Sequence, residues 1–430
     1  MNYAALSLEQ SPPLSVPMRY YLTAPLFTMI AALILLWEGP DALASRWTPS
    51  LLAMTHFLTL GFLAMVMFGS VQQILPVLMG SPVPRPRLVS SSIHSLLSIG
   101  ILFLCGGLLL GQATLFQGAV VFLGAGSGLF IMVVSYCLIR AQSGHATVTA
   151  TGLAIAALAI TVSLGLYLAA GYGWTAIPQS HLLTNLHLAW GLPGWVALLI
   201  IGVSYQVIPM FHVTPDYPRP ITRWLSKLLF LGLAVWTMVS LVLHEIPWTG
   251  GLAAVCLGIF ALATLNLKRR RRRRLPDVTL NYWQLAATSL LAAVLCWTAE
   301  LLIPGLEIPP VLLGILLVVG FAMSAVSGML HKIAPFVIWL QLNNQRQIQG
   351  RIQGKIPTMK QIIPESLARW QLRLQIVALA LLLGASLWPK ALTYPAALAL
   401  FLAAALLWWN LVSATRLYLK LTRPGTHQQH

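Results

Sequence analysis

Three histidines set in apolar surroundings, His56, His181 and His187, offer the first chemistry in this 430-residue chain. Imidazole is the commonest metal-ligating side chain. Inside a hydrophobic segment it is costly to bury and usually turns toward other protein. Two imidazoles from facing helices can complete the axial coordination of a b-type haem. The structural alternative is a histidine bonded to a neighbouring helix carbonyl. His181 lies nearer the end of its segment, where headgroups or water would also meet it. His94 follows three serines and reads as a solvated helix end. His212 stands at a helix exit after Pro209, and His331 neighbours Lys332. Covalent haem attachment is excluded, because no CxxCH occurs. The four cysteines, Cys105, Cys137, Cys256 and Cys296, read as small packing residues. There is no P-loop, GxSxG elbow or HExxH, so hydrolase and ATPase readings have no footing.

These residues must be positioned by membrane helices. Hydrophobic residues make up 58% of the chain and charged residues 8%, against roughly 25% charged in soluble domains. Apolar stretches of the length needed to cross hydrocarbon recur throughout. They fall near 19–38, 50–79, 90–111, 113–140, 147–171, 182–211, 222–243, 247–267, 280–303, 309–340, 370–388 and 391–415. The expected fold class is therefore all-α, a polytopic membrane protein of about twelve spans. With an even count and both termini cytoplasmic, 24 of the 26 basic residues fall on the cytoplasmic side, and only Arg46 and Lys390 lie outside. That is the asymmetry the positive-inside rule requires. It points to the bacterial inner membrane, with the run Arg269 to Arg274 as a stop-transfer anchor that attracts anionic lipids. A nucleic-acid role for that run is disfavoured. The segment 341–368 reads as a polar cytoplasmic loop, helical in part. No carboxylate stands in mid-span, which weakens a proton-coupled transporter reading.

The chain also repeats itself. Glycine, an aromatic, six residues, glycine, six residues and proline occur as Gly61-Phe62, Gly69, Pro76; as Gly194-Trp195, Gly202, Pro209; and as Gly320-Phe321, Gly328, Pro335. Composition alone gives such a match on the order of 0.01 times per chain. The copies are 133 and 126 residues apart and fall in spans two, six and ten. Three successive four-helix units are expected, over 1–140, 141–274 and 275–430. In each marked helix the second glycine, a polar residue four later and the proline share one face, which should point inward because glycine permits close helix approach. The three second glycines are expected to pack near one another's helices. By the repeat, His187 aligns with Met54, so His56 and His187 sit at nearly equal depth on two marked helices.

A pseudo-threefold array of twelve helices, with the marked helices second, sixth and tenth, resembles subunit I of the haem-copper oxidases. His56, Gly61-Phe62, Gly69, Pro76 and Gly80 also have the spacing of a segment in the NnrS family, membrane proteins that bind haem and copper and are linked to nitric-oxide tolerance. That segment reads HAHE, then GF, Gly, Pro and Gly. The chain departs from it at Met54 and Phe57, where a histidine and an acid would stand. It also lacks the oxidase HPEVY in span six, the histidine pair in span seven and the HxH in span ten. The resemblance implies the scaffold and one haem ligand, His56, in a role in electron transfer or diatomic-gas handling with a redox partner or gas as ligand. The repeat, not the resemblance, adds His187 as the second candidate ligand of a haem b, with copper left open. The resemblance does not carry over the oxygen-reducing copper site. His181 is the third residue that could offer an axial nitrogen, and the propionates of such a haem need cations or water near the outer surface, where Arg46 and Lys390 are the basic choices. A transporter or channel without cofactor, and a haem-free scaffold or assembly factor, remain open alternatives. Whether the protein is an enzyme is left open.

Overall fold

In the computed structural model, residues 11–141, 146–174, 180–243, 250–271, 276–349 and 355–422 are described, and no strand occurs among them. His244, Glu245, Arg272 to Arg274, Arg351, Arg423 and the tail histidines lie outside the described residues. Twelve helices are long and apolar enough to span a bilayer. They are α1 (Ser15–Leu43), α2 (Pro49–Val77), α3 (Pro86–Leu110), α4 (Ala113–Ile139), α5 (Ala146–Gly173) and α6 (His181–His212). Then follow α7 (Arg219–Leu243), α8 (Gly251–Arg269), α9 (Val278–Leu302), α10 (Pro310–Arg346), α11 (Glu365–Ala385) and α12 (Pro389–Thr422). The protein is thus an all-α, multi-pass membrane protein.

The marked helices are the inner ones. In α2, α6 and α10, 61%, 67% and 72% of the most apolar window is buried, against 28–50% in the other nine. The outer helices join end to start: α4 packs on α5, α8 on α9, and α12 on both α11 and α1, which closes the ring. The lipid-facing surface carries the exposed leucines and tryptophans expected where the surrounding solvent is hydrocarbon.

All three inner helices contain a π-helical segment in the same register. It covers Phe57–Ala64, Trp190–Ala197 and Leu316–Met323, so each begins four residues before the first repeat glycine and ends three after it. The segment of α10 touches those of α2 and α6. A π turn relaxes the steric demand that a tight α turn makes on Pro193, which lies inside the second segment.

The repeat glycines have a single purpose, close approach of the first helix in each expected unit. A Cβ on Gly69 would lie 2.9 Å from Tyr20 Cβ in α1, and one on Gly202 2.6 Å from Ala150 Cβ in α5; on Gly328 it would meet Tyr282 Cβ in α9 closer still. The first glycines repeat this seven residues along the same partners: Gly61 against Phe27, Gly194 against Ala157, Gly320 against Ser289. Seven α-helical residues rise about 10.5 Å, and eight residues cover that distance on the marked helix because part of the stretch is π-helical. The second glycines therefore pack on neighbouring outer helices rather than on one another's. The small residue serves the wall of its own unit, and the centre is left to large side chains. Phe68 and Phe130 stack at 3.6 Å, with Trp195 edge-on to both.

Of the polar residues four after the second glycines, Gln73 is buried, whereas Gln206 and Lys332 are half-buried; their neighbours Gln72, Tyr205 and His331 are buried. Gln72 donates to Tyr20 Oη at 3.0 Å, and Gln341 Nε2 donates to the Pro12 carbonyl at 2.9 Å, tying the amino-terminal end to α10. The polar segment 341–368, expected to be helical in part, is so among its described residues: the helix of α10 continues to Gln349, and a short helix, Met359–Ile362, precedes α11. A Thr358–Gln361 capping box starts that short helix. His94 is not a solvated end, since its Nε2 lies 2.9 Å from Thr23 Oγ1 and its ring meets the edge of Tyr20.

Candidate functional site

The amino-terminal ends of α2 and α6 bring His56 and His187 together, with Arg46 and His181 nearby. Thr48 caps α2 by accepting from the Leu51 N–H, with Pro49 at the first helical position. Ser180 caps α6 in the same way through the Leu183 N–H. His56 is the last residue before the π segment of α2, and His187 lies three residues before that of α6. Their rings stand 6.3 Å apart between centroids and are inclined by only 22°. Both rings are partly buried.

Their hydrogen bonds assign the tautomers. His56 Nδ1 donates to the Leu52 carbonyl at 2.7 Å, one turn back in its own helix. His187 Nδ1 donates to the Thr161 carbonyl in α5 at 3.0 Å. A carbonyl can only accept, so Nδ1 carries the proton in both rings and Nε2 keeps its lone pair. These carbonyl bonds are what the structural alternative also expects; what a ligating histidine adds is a second nitrogen left free for a metal. Two imidazoles on opposite sides of one metal, each at about 2 Å, put ring centres on the order of 6 Å apart. The observed separation matches.

Gly165 makes room for this geometry. A Cβ there would lie 2.7 Å from His187 Cε1, so any larger residue would push the ring aside. The third inner helix contributes no imidazole, because Leu313 and Ile315 of α10 occupy the matching positions. Among the described residues no group of three or more histidines, cysteines or carboxylates converges.

Above the pair lies a polar roof. Arg46, in the connection between α1 and α2, donates through Nη2 to Asn185 Oδ1 at 3.1 Å. Asn185 is two residues from His187. The guanidinium also lies 4.4 Å from the Trp47 ring, and Trp47 meets the edge of the exposed His181 at 4.8 Å. Lys390, the other outer cation, is exposed at the start of α12 and belongs to a different part of the rim. Asn185, Trp47, Thr161 and Gly165 escaped the sequence reading. Only Gly165 carries a recognisable signal, a glycine inside an apolar helix, and that signal is shared by many glycines here.

A second cluster lies at the opposite end of the bundle, where α6 ends and α9 begins. Asp277 caps α9 by accepting from the Thr279 N–H at 3.0 Å and from its hydroxyl at 2.7 Å. Its other oxygen accepts from Lys332 of α10 at 2.9 Å and lies 3.4 Å from Nδ1 of the fully buried His212 at the end of α6. Burial alone would raise this carboxyl. The adjacent His212 ring and the Lys332 ammonium outweigh it and hold the group well below the usual carboxylate range. This cluster joins α6, α9 and α10, and both ring nitrogens of His212 are buried in it without a hydrogen-bond partner. Its bonds mark it as a structural joint.

No protein-family model and no curated protein matches this chain. Its function is therefore read from its own geometry.

Proposed function

We propose that the chain is a haem-binding protein of the bacterial inner membrane, with His56 and His187 as the two axial ligands of a b-type haem and with electron transfer as its role. One observation carries this reading: two near-parallel imidazoles at 6.3 Å, each with Nδ1 committed to a carbonyl and Nε2 bare. Two ligands suit a macrocyclic metal, which brings four nitrogens of its own. A mononuclear zinc site takes three or four protein ligands, and no third ligand accompanies the pair.

The residues divide the work simply. Leu52 and Thr161 fix the ring orientations through their carbonyls, and Gly165 lets α5 approach His187. Arg46 and His181 stand at the outer edge, where they would meet the propionates, Arg46 by charge-assisted hydrogen bonds. The bound haem would supply a one-electron couple. With both axial positions taken by protein, electron transfer is favoured over gas binding, which would require one histidine to leave.

The test compares purified wild type, His56→Ala and His187→Ala for haem bound per protein and for the absorbance spectrum. Wild type should show the Soret and sharp visible bands of a six-coordinate low-spin haem, and each variant should lose most of its haem. Colourless wild type after expression with ample haem, or full occupancy in both variants, would sink the reading. Solute flux through the colourless protein would then favour a transporter.

A further inference from the structure

We propose that an anionic phospholipid is held along a cleft between α8 and α9 at the cytoplasmic end, with its phosphate at Lys268. This goes beyond the haem reading and does not depend on it.

The cleft is a shallow groove of about 10 Å³, so the lipid lies along it rather than inside it, and it runs where the second and third expected units meet. Its wall is carbon: Ile208 from α6, Leu265 from α8, and Leu280 and Trp283 from α9. The indole N–H of Trp283 is satisfied at Met329 Sδ, 3.2 Å away, so it makes no polar demand on the cleft. Beyond the cleft the apolar wall runs on over exposed Leu262, Ile259 and Val255 of α8, a track for an acyl chain toward the bilayer centre. The mouth, in contrast, is polar and cationic. Lys268 donates to Gln284 Oε1, which holds its ammonium across the seam of the two helices.

That charge is not balanced by protein. The ion pairs among the described residues use Asp277 and Glu365, and Asp277 is taken by Lys332 and His212. Arg269 and Arg270 follow Lys268 directly and are exposed. On α7, which packs against α8, exposed Arg223 and Lys227 flank the half-exposed Trp224 ring at 5.3 and 5.4 Å. Cations at a helix C-terminus also answer the helix dipole, but that need is confined to the last turn of α8 and does not explain the basic face of α7. A carbon wall leading to an unbalanced cationic mouth at headgroup depth fits a lipid phosphate rather than a soluble anion, which would have no use for the wall.

The experiment uses the full chain purified in a mild detergent. Dioleoylphosphatidylglycerol, dioleoylphosphatidylcholine and inorganic phosphate are each titrated, with retention read by native mass spectrometry and stability by melting temperature. Phosphatidylglycerol should be retained and should raise the melting temperature well above the effect of phosphatidylcholine, with phosphate inactive. Lys268→Gln should weaken phosphatidylglycerol retention about fivefold, and Leu265→Trp, which fills the wall, should weaken it at least as much. Equal effects of the two lipids, or phosphate matching phosphatidylglycerol, would overturn the proposal. Should Leu265→Trp fail to fold, Lys268→Gln and the exposed double variant Arg269→Gln/Arg270→Gln decide. Unchanged retention in both rejects the site, and weakened retention in both upholds it.

Discussion

His56 and His187 each give one ring nitrogen to the backbone and leave the other bare, inside a bilayer where every polar group needs a reason. Half of that arrangement is legible in the sequence, because the glycine–aromatic repeat gives both residues nearly the same depth. The other half is not. The Thr161 carbonyl that orients His187 comes from α5, a helix with no motif, and its identity as a carbonyl makes the side chain uninformative. Gly165 is equally silent in the sequence, yet it decides whether the ring can stand where it does. Gly165→Ala should therefore lower haem affinity about tenfold or more, as expected when the shell that orients a ligand is disturbed. The measurement is haem titration into apo-protein, and wild-type affinity in that variant would mean the ring position is immaterial. At the outer edge, Arg46→Gln should loosen haem by severalfold while leaving the low-spin spectrum intact, since it touches no axial ligand.

Among elements, the inner helices α2, α6 and α10 are distinguished by composition as well as by burial. Their glycines announced close packing, and the direction of that packing was the part sequence could not supply. A periodic face says that something small must meet a neighbour, and both an inner and an outer helix qualify. Gly202→Leu should cost about 1–3 kcal/mol through overpacking against Ala150, and Gly69→Leu and Gly328→Leu should cost at least as much against Tyr20 and Tyr282. Thermal melts of the three variants check this, with a leucine placed at exposed Val121 as the lipid-facing control. The joint at Asp277 makes a prediction in pH. Its carboxyl is depressed in the folded protein, so its stabilising contribution is complete above the ordinary carboxylate pKa of about 3.9. The contribution is lost as pH falls below that value toward the folded one. Asp277→Asn should thus lower the melting temperature at pH 7 and narrow the gap to wild type as the pH drops through 4. A constant gap from pH 7 to pH 3 would show that the ionised form contributes nothing.

For the whole molecule, span number and helix order were fully readable, because a twenty-residue apolar stretch has few other uses. Closure of the ring through α12 and α1 was not, since no residue type signals which outer helices touch. Orientation rests on the basic residues alone. Reporter fusions after Arg271 and after Lys355 should both report the cytoplasm, and a periplasmic signal at either would invert the placement of the histidine pair. Each inner helix has its second glycine on one side of a π segment, and α2 and α6 carry an imidazole on the other. A surplus residue in an α-helix would turn everything beyond it by roughly 100°; the π turn takes that surplus up, as an expansion joint takes up length without moving the rails on either side. Removing a single residue within 57–64 would therefore return the stretch to α-helix and leave the Gly61 and Gly69 contacts, and the bearing of His56, in register. The same removal in the α-helical stretch after Gly69 has no such joint to absorb it and would rotate the helix end beyond it.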